Sequence, residues 1–211
     1  MKVLLIRSIG YLPMKTTLYI LLLSFVAAFC SKQNIQPVFD NTEPFPDRRT
    51  SVLYVIKAGN HHSEQNQLQV MHRSSMSAVV TFDSSAIYTS VDATNQGDIN
   101  KLMGFSDCGT DHQQNSARIG WSWSGENLVL YAYSYFDRKR IIKTLGNFSL
   151  NIPIACSIKA ENKYYYFKAG NITDSVSRFC ADYEGNRYKL FPYFGGDETA
   201  PHEVRILITE D

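Results

Sequence analysis

The sequence has almost no charge of either sign to spare: 21 Lys and Arg stand against 20 Asp and Glu, a formal net charge of +1. Nucleic-acid binding needs a basic footprint, so this balance argues against DNA or RNA as a partner. Long apolar runs are also missing. The greasiest stretch, Leu18 to Phe29, falls short of the about 20 residues that a membrane-spanning helix needs. Cysteine is scarce, with four in all, and the spacings of Cys108, Cys156 and Cys180 do not resemble a zinc site. No His-x-His, His-Glu-x-x-His or paired-carboxylate spacing is present, so none of the common metal or acid–base signatures applies. There is no internal repeat and no Ala/Leu/Glu/Lys-rich periodic segment of the kind that builds long helices.

Aromatic and β-branched residues are what the chain has in quantity, with 13 Tyr and 12 Phe. That composition favours strands. Period-2 runs recur over 52–57, 67–72, 76–82, 86–90, 117–124, 128–135, 140–145, 151–159, 163–168, 175–180, 187–193 and 204–209. Turn signals separate them, among them Ser124-Gly125-Glu126-Asn127, Glu184-Gly185-Asn186 and Gly195-Gly196-Asp197. Short strands joined in this way predict an all-β fold, a two-sheet antiparallel β-sandwich of the jelly-roll type. The one helical candidate is a turn around Ile99 to Met103, with Asp98 as its N-cap.

Residues 1–29 read as an export signal. A basic start precedes the short apolar run, and Met14-Lys15 opens that run better than Met1 does. The run ends on Cys30, followed by polar residues, and so resembles a bacterial lipoprotein signal in which that cysteine takes the lipid. Ala27 and Ala28 suit its small-residue box and Phe29 departs from it. Ordinary cleavage near Val26-Ala27-Ala28 is the alternative. Residues 30–50, with three prolines and little apolar periodicity, read as the lipidated Cys30 and a tether to a domain over 51–211. The reading thus places the protein at the cell envelope, in the periplasm or on the outer membrane surface. Without residues 1–29, which hold Lys2, Arg7 and Lys15, 18 basic and 20 acidic side chains remain, a net of −2.

Alternation assigns faces. Ile119, Trp121 and Trp123 fall on one side of their run, Arg118, Gly120, Ser122 and Ser124 on the other. The tight turn after it makes the next run its neighbour, so that Arg118 lies beside Tyr131, Tyr133 and Tyr135. Tyr166 and Lys168 add to the set from the 163–168 run. A tyrosine ring with its hydroxyl, next to an arginine, matches both the C–H face and the hydroxyl edge of a sugar. Cross-strand packing is the plainer role for Tyr131 and Tyr133.

In the loop Ser106 to Ser116, Asp107, Asp111, His112 and Asn115 are dense enough to line a site. His61, His62 and His202 stand in other loops, where a solvated or structural role is the commoner one. Asp197 and Glu198 are the carboxylates a Ca²⁺ ion would use; capping the last strand is their simpler role. Otherwise no cofactor is expected. An exported chain can form disulfides; Cys108 pairs best with Cys180, leaving Cys156 as a buried thiol, although three cysteines allow three pairings.

Two resemblances complete the reading. DINKLMGFSDC, HQQNSARIGW and LFPYFGGDETAPHEVRI, starting at Asp98, His112 and Leu190, resemble a group of uncharacterised exported lipoproteins of Bacteroidetes-type bacteria. That likeness implies a concanavalin-A-like jelly roll. Tyr166-Phe167-Lys168-Ala169-Gly170-Asn171 resembles the YFKAG motif of alginate lyases with the same sandwich fold. The chain departs from those enzymes elsewhere. Ile172 stands where they carry a tyrosine, Gln69-Val70-Met71-His72 is one residue longer than their Gln-x-His, and an Arg-x-Glu strand is absent. The expectation is therefore an anchored, non-catalytic, carbohydrate-binding sandwich with a glycan or cell-envelope component as partner. One alternative is a polysaccharide lyase or glycoside hydrolase with His112 as base, Arg118 as charge neutraliser and Tyr133 as acid. Another is a structural part of an envelope assembly. Convergence of His112, Arg118 and Tyr133 in one deep cleft distinguishes the enzyme, and a shallow tyrosine groove the binder.

Overall fold

The computed structural model describes residues 50–211; the expected signal segment, Cys30 and nearly all of the tether lie outside the described residues. Twelve strands form among them: β1 (Thr50–Ile56), β2 (Val70–Met71), β3 (Ser75–Phe82), β4 (Asn100–Ser106), β5 (Ser116–Trp123) and β6 (Leu128–Phe136), then β7 (Lys139–Phe148), β8 (Ile154–Glu161), β9 (Tyr164–Ala169), β10 (Ile172–Ser177), β11 (Arg187–Leu190) and β12 (Val204–Glu210). They pair antiparallel into two six-stranded sheets, in the orders β1-β12-β3-β8-β9-β10 and β2-β11-β4-β5-β6-β7. The fold is a jelly-roll β-sandwich, as the alternation and turn spacing predict.

Burial follows the period of two. In β8 and β9 every second residue is buried, which places Ile154, Cys156, Ile158, Tyr165 and Phe167 inside. Ile119 and Trp121 of β5 and Leu128, Leu130 and Ala132 of β6 meet them from the other sheet's inner face. Each large apolar side chain removed from water in this way contributes about 1.5–3 kcal/mol. Hairpins join β5 to β6 and β6 to β7. In the second, Asp137 and Arg138 take φ of 45° and 67°, the left-handed pair that a tight two-residue hairpin requires.

Two expectations are corrected. The segment around Ile99 to Met103 is not a helical turn but the start of β4. Its apolar residues are adjacent, at Leu102 and Met103, because a bulge there turns both toward the core. The helical turns among the described residues are two short 3-10 segments, Ser84–Ala86 and Ala93–Gly97. The first of these, with the irregular chain after it, takes the place of the strand expected over 86–90. Asp83 and Asp92 cap the two turns, and Asp98 ends the second instead of opening a helix.

The loop after β4 is fastened to the end of the sandwich. Cys108 is disulfide-bonded to Cys180, and Cys156 is a buried free thiol. Asp107, expected to line a site, is instead wholly buried. Its carboxylate accepts from Arg178 Nε at 2.5 Å, Arg187 Nε at 2.9 Å and the Tyr165 hydroxyl at 2.9 Å.

Candidate functional site

The outer face of the second sheet is concave and holds a cavity of about 600 Å³. Strand register builds its floor. Arg118 of β5 lies opposite Tyr133 of β6 and Gly104 of β4, Ser116 opposite Tyr135, and Tyr135 opposite Arg140 of β7. One hairpin turn and one period thus deliver Arg118, Tyr133, Tyr135 and Arg140 to the same patch. Gly104 makes room for the arginine: a Cβ there would stand 2.7 Å from Arg118 Cα and 2.8 Å from its Cγ.

Lys101 reaches this face because of the β4 bulge. Leu102 is the extra residue, so Lys101 pairs with Gly120 and turns outward where unbroken alternation would turn it in. Its ammonium donates to the Gly195 carbonyl at 2.9 Å and lies 5.3 Å over the Tyr133 ring and 5.5 Å over that of Tyr193. Tyr193 in turn bridges to Lys101 backbone-to-backbone, stacks on His61 at 5.1 Å and meets the edge of His62 at 4.9 Å. Neither Lys101 nor Tyr193 was marked by the sequence, because one depends on a bulge and the other on a contact across ninety positions of chain.

His112 stands at the rim. Its backbone N–H donates to the Tyr188 hydroxyl at 2.9 Å, and its Nδ1 lies 3.4 Å from the same oxygen. The structure therefore brings His112, Arg118, Tyr133 and Tyr135 together, with Lys101, Arg140, Tyr188 and Tyr193 added.

Charge is the unusual property of this cavity. Arg118 is only 7% exposed, and its Nε has no hydrogen-bond partner. Among the described residues no carboxylate lies within ion-pair distance of Lys101, Arg118 or Arg140. Burial, and then the Arg118 charge, push the Lys101 ammonium down to about 8. Burial and Arg118 also lower His112, against an opposing pull from Asp111, so its imidazole is neutral near pH 7. Burial, followed by the Tyr135 neighbour, pushes Tyr133 up to about 12. A buried cation without a counter-charge is costly. Of the three cations lining this cavity Arg118 alone is buried, Lys101 is half-buried and Arg140 is exposed.

Other expected site residues fall elsewhere. Tyr131 shares the face of Tyr133 but lies outside the cavity, its hydroxyl 3.0 Å from Ser122 Oγ. Tyr166 and Lys168, expected beside Arg118, sit on β9 in the other sheet. Period 2 gives a residue its face but not its sheet, and β9 pairs with β8 and β10. The YFKAG-like segment goes with them, away from the cavity. Asp197 lines the cavity, whereas the Glu198 carboxylate accepts from the backbone of Val91 and Asp92 and from Asn95 and so anchors a loop. Neither belongs to a cluster of metal-ligating groups. Among the described residues the one such cluster is Asp107, Cys108 and Cys180, whose sulfurs are bonded to each other and whose carboxylate holds two arginines.

No family model and no curated protein matches the sequence. Among solved structures, the fold is similar to that of alginate lyase AlyC3, at a TM-score of 0.52 and 13% identity over 76% of this chain and 74% of that one. The same lyase in complex with dimannuronate gives 0.51 and 13% over 76% and 73%. A Bacteroides ovatus GH16 protein in complex with a glucan product gives 0.47 and 8% over 76% and 79%. At these identities the likeness is one of fold.

Proposed function

We propose that the concave face binds an acidic glycan, with Arg118, Lys101 and Arg140 taking its carboxylate or sulfate groups and Tyr133, Tyr135 and Tyr193 its sugar rings. The observation that carries this reading is the buried Arg118 guanidinium with an unpartnered Nε and, among the described residues, no carboxylate within ion-pair distance. An arginine fork pairs with carboxylates in bidentate fashion, and a bound anion would supply the missing counter-charge. Tyrosines around the cations offer the mixed apolar and hydroxyl surface that pyranose rings present.

A second reading, β-elimination of a uronate polymer, is favoured by the grouping of His112, Tyr188, Arg118 and Tyr133 in one cavity. Arg118 would neutralise the uronate carboxylate, which acidifies the C5 proton. The neutral His112 would take that proton as the C4–O bond breaks and the C4=C5 double bond forms. Tyr133, held protonated by its raised pKa, would return a proton to the leaving glycosidic oxygen.

Titration of the full chain with alginate, polygalacturonate, heparin and neutral laminarin tests the first reading, and ultraviolet absorbance of an unsaturated uronate product tests the second. Acidic polymers are expected to bind and laminarin not to; equal binding of laminarin overturns the anion reading. The Lys101 ammonium fixes the sign of the pH dependence. It is protonated below about 8, so affinity is full there and falls by about tenfold as pH rises from 7 to 9. Lys101→Arg, permanently charged, is expected to flatten that profile.

For the rest of the chain, the proposal is export and anchoring through a lipid on Cys30, which the Cys108–Cys180 disulfide supports because such bonds persist in oxidising compartments. Cell fractionation decides it. Cys30→Ser is expected to leave the membrane fraction, and its retention there refutes the anchor.

A further inference from the structure

The outer face of the first sheet, remote from the cavity, carries an aromatic platform of its own. Tyr164 and Tyr166 alternate outward along β9, 47% and 43% exposed, with ring centroids 6.2 Å apart. Register surrounds them with hydroxyls and amines. Tyr166 lies between Ser175 of β10 and Lys159 of β8, Lys168 between Thr173 and Ser157, and Tyr164 opposite Ser177. Tyr166 and Lys168, with Ser175, Thr173 and Asp174, line a depression of about 570 Å³, and Tyr164 lies beyond it. Lys168 has no acidic partner within ion-pair distance among the described residues, while Lys159 is paired with Glu161 and Lys143 with Asp174.

Neither ring belongs to the sandwich core. Exposed aromatic planes flanked by hydroxyl donors and an unpaired amine fit a sugar chain bearing anions. On such a chain the rings would cover the C–H faces, Ser175 and Thr173 would reach the hydroxyl edges, and Lys168 would meet an acidic group.

We infer that the β8–β9–β10 face is a second, independent glycan-binding surface for acidic polysaccharide, separate from the concave cavity. The choice of an acidic polymer rests on the proposed function; the existence of the second surface rests on the platform. Two sites on opposite faces of one sandwich give long polymers an advantage that short oligosaccharides lack, because a second contact on the same or a neighbouring chain raises avidity.

Affinity electrophoresis of the full chain in gels containing alginate, beside calorimetry with an alginate tetrasaccharide, tests it. Tyr164→Ala/Tyr166→Ala is expected to weaken retardation by the polymer about tenfold while leaving tetrasaccharide affinity at the cavity unchanged. Lys168→Glu, a milder surface change, is expected to act in the same direction. Unchanged retardation of both variants, with the Arg118→Met variant alone impaired, overturns the second surface and leaves the cavity reading standing. Loss in the tyrosine variant with no loss in Arg118→Met overturns the cavity reading and leaves the surface standing. Thermal midpoints equal to that of the parent protein show that the variants are folded.

Discussion

Arg118→Met is expected to lower affinity for an acidic oligosaccharide by about 30-fold to 100-fold, the equivalent of the roughly 2–3 kcal/mol that charge-assisted hydrogen bonds contribute. The same substitution is expected to leave the thermal midpoint unchanged or raise it. Both halves follow from one fact. Arg118 is buried with its Nε unpartnered and no carboxylate within ion-pair distance among the described residues, so the folded protein bears the desolvation cost of the guanidinium without a compensating pair. Methionine fills similar space over Gly104 and removes that cost. Arg118→Lys keeps the charge but not the fork and is expected to fall between the two. Titration calorimetry and a thermal melt on the same samples check the pair of outcomes. A large loss of stability would show that Arg118 holds the fold, and the argument for an anionic ligand would then fail.

Much of this site is legible in the sequence because it lies on two adjacent strands. The period of two in β5 and β6 and the short turn between them place Arg118 with Tyr133 and Tyr135, and the register agrees. What escapes is whatever breaks period 2 or joins distant segments. The bulge at Leu102 inverts the facing of Lys101 and sets two apolar residues side by side, a pattern that imitates a helical turn. Tyr193 and His62 come to Lys101 through isolated bridges, for which no local spacing exists. Tyr166 and Lys168 keep the outward facing that alternation predicts, but in the other sheet, since face is a local property and sheet membership is not. Asp107 sits among the loop's polar residues, and only its long-range partners, 71 and 80 positions away, show that it belongs to the interior.

Asp107→Asn is expected to destabilise the fold by about 3–5 kcal/mol, a fall of roughly 10 °C in thermal midpoint for a domain of this size. Arg178 and Arg187 converge on this single carboxylate, and all three groups are buried. Carbonyls satisfy the remaining guanidinium protons: Asn162, Ala181 and Tyr183 for Arg178, Gly185 and Tyr183 for Arg187. Hydrogen bonds are therefore nearly complete, and the carboxylate supplies the one negative charge. An amide keeps the shape and removes the charge, leaving two buried cations facing each other. Arg178→Met is expected to be destabilising as well, since it strands half of the network, whereas Arg118→Met is not. Two buried arginines in one protein thus differ in sign because one has its acid in the fold and the other lacks it. The loss also extends to the cavity. Asp107 N–H donates to the Asn115 carbonyl at 2.9 Å, closing the loop that carries His112, which the Cys108–Cys180 bond, the Tyr188 hydroxyl and the 137–138 turn also hold. Hydrogen exchange over 107–116 is expected to accelerate in Asp107→Asn more than exchange in β5 and β6. Uniform acceleration across the sandwich would mean that the cluster supports the whole fold equally and does not hold this loop in particular.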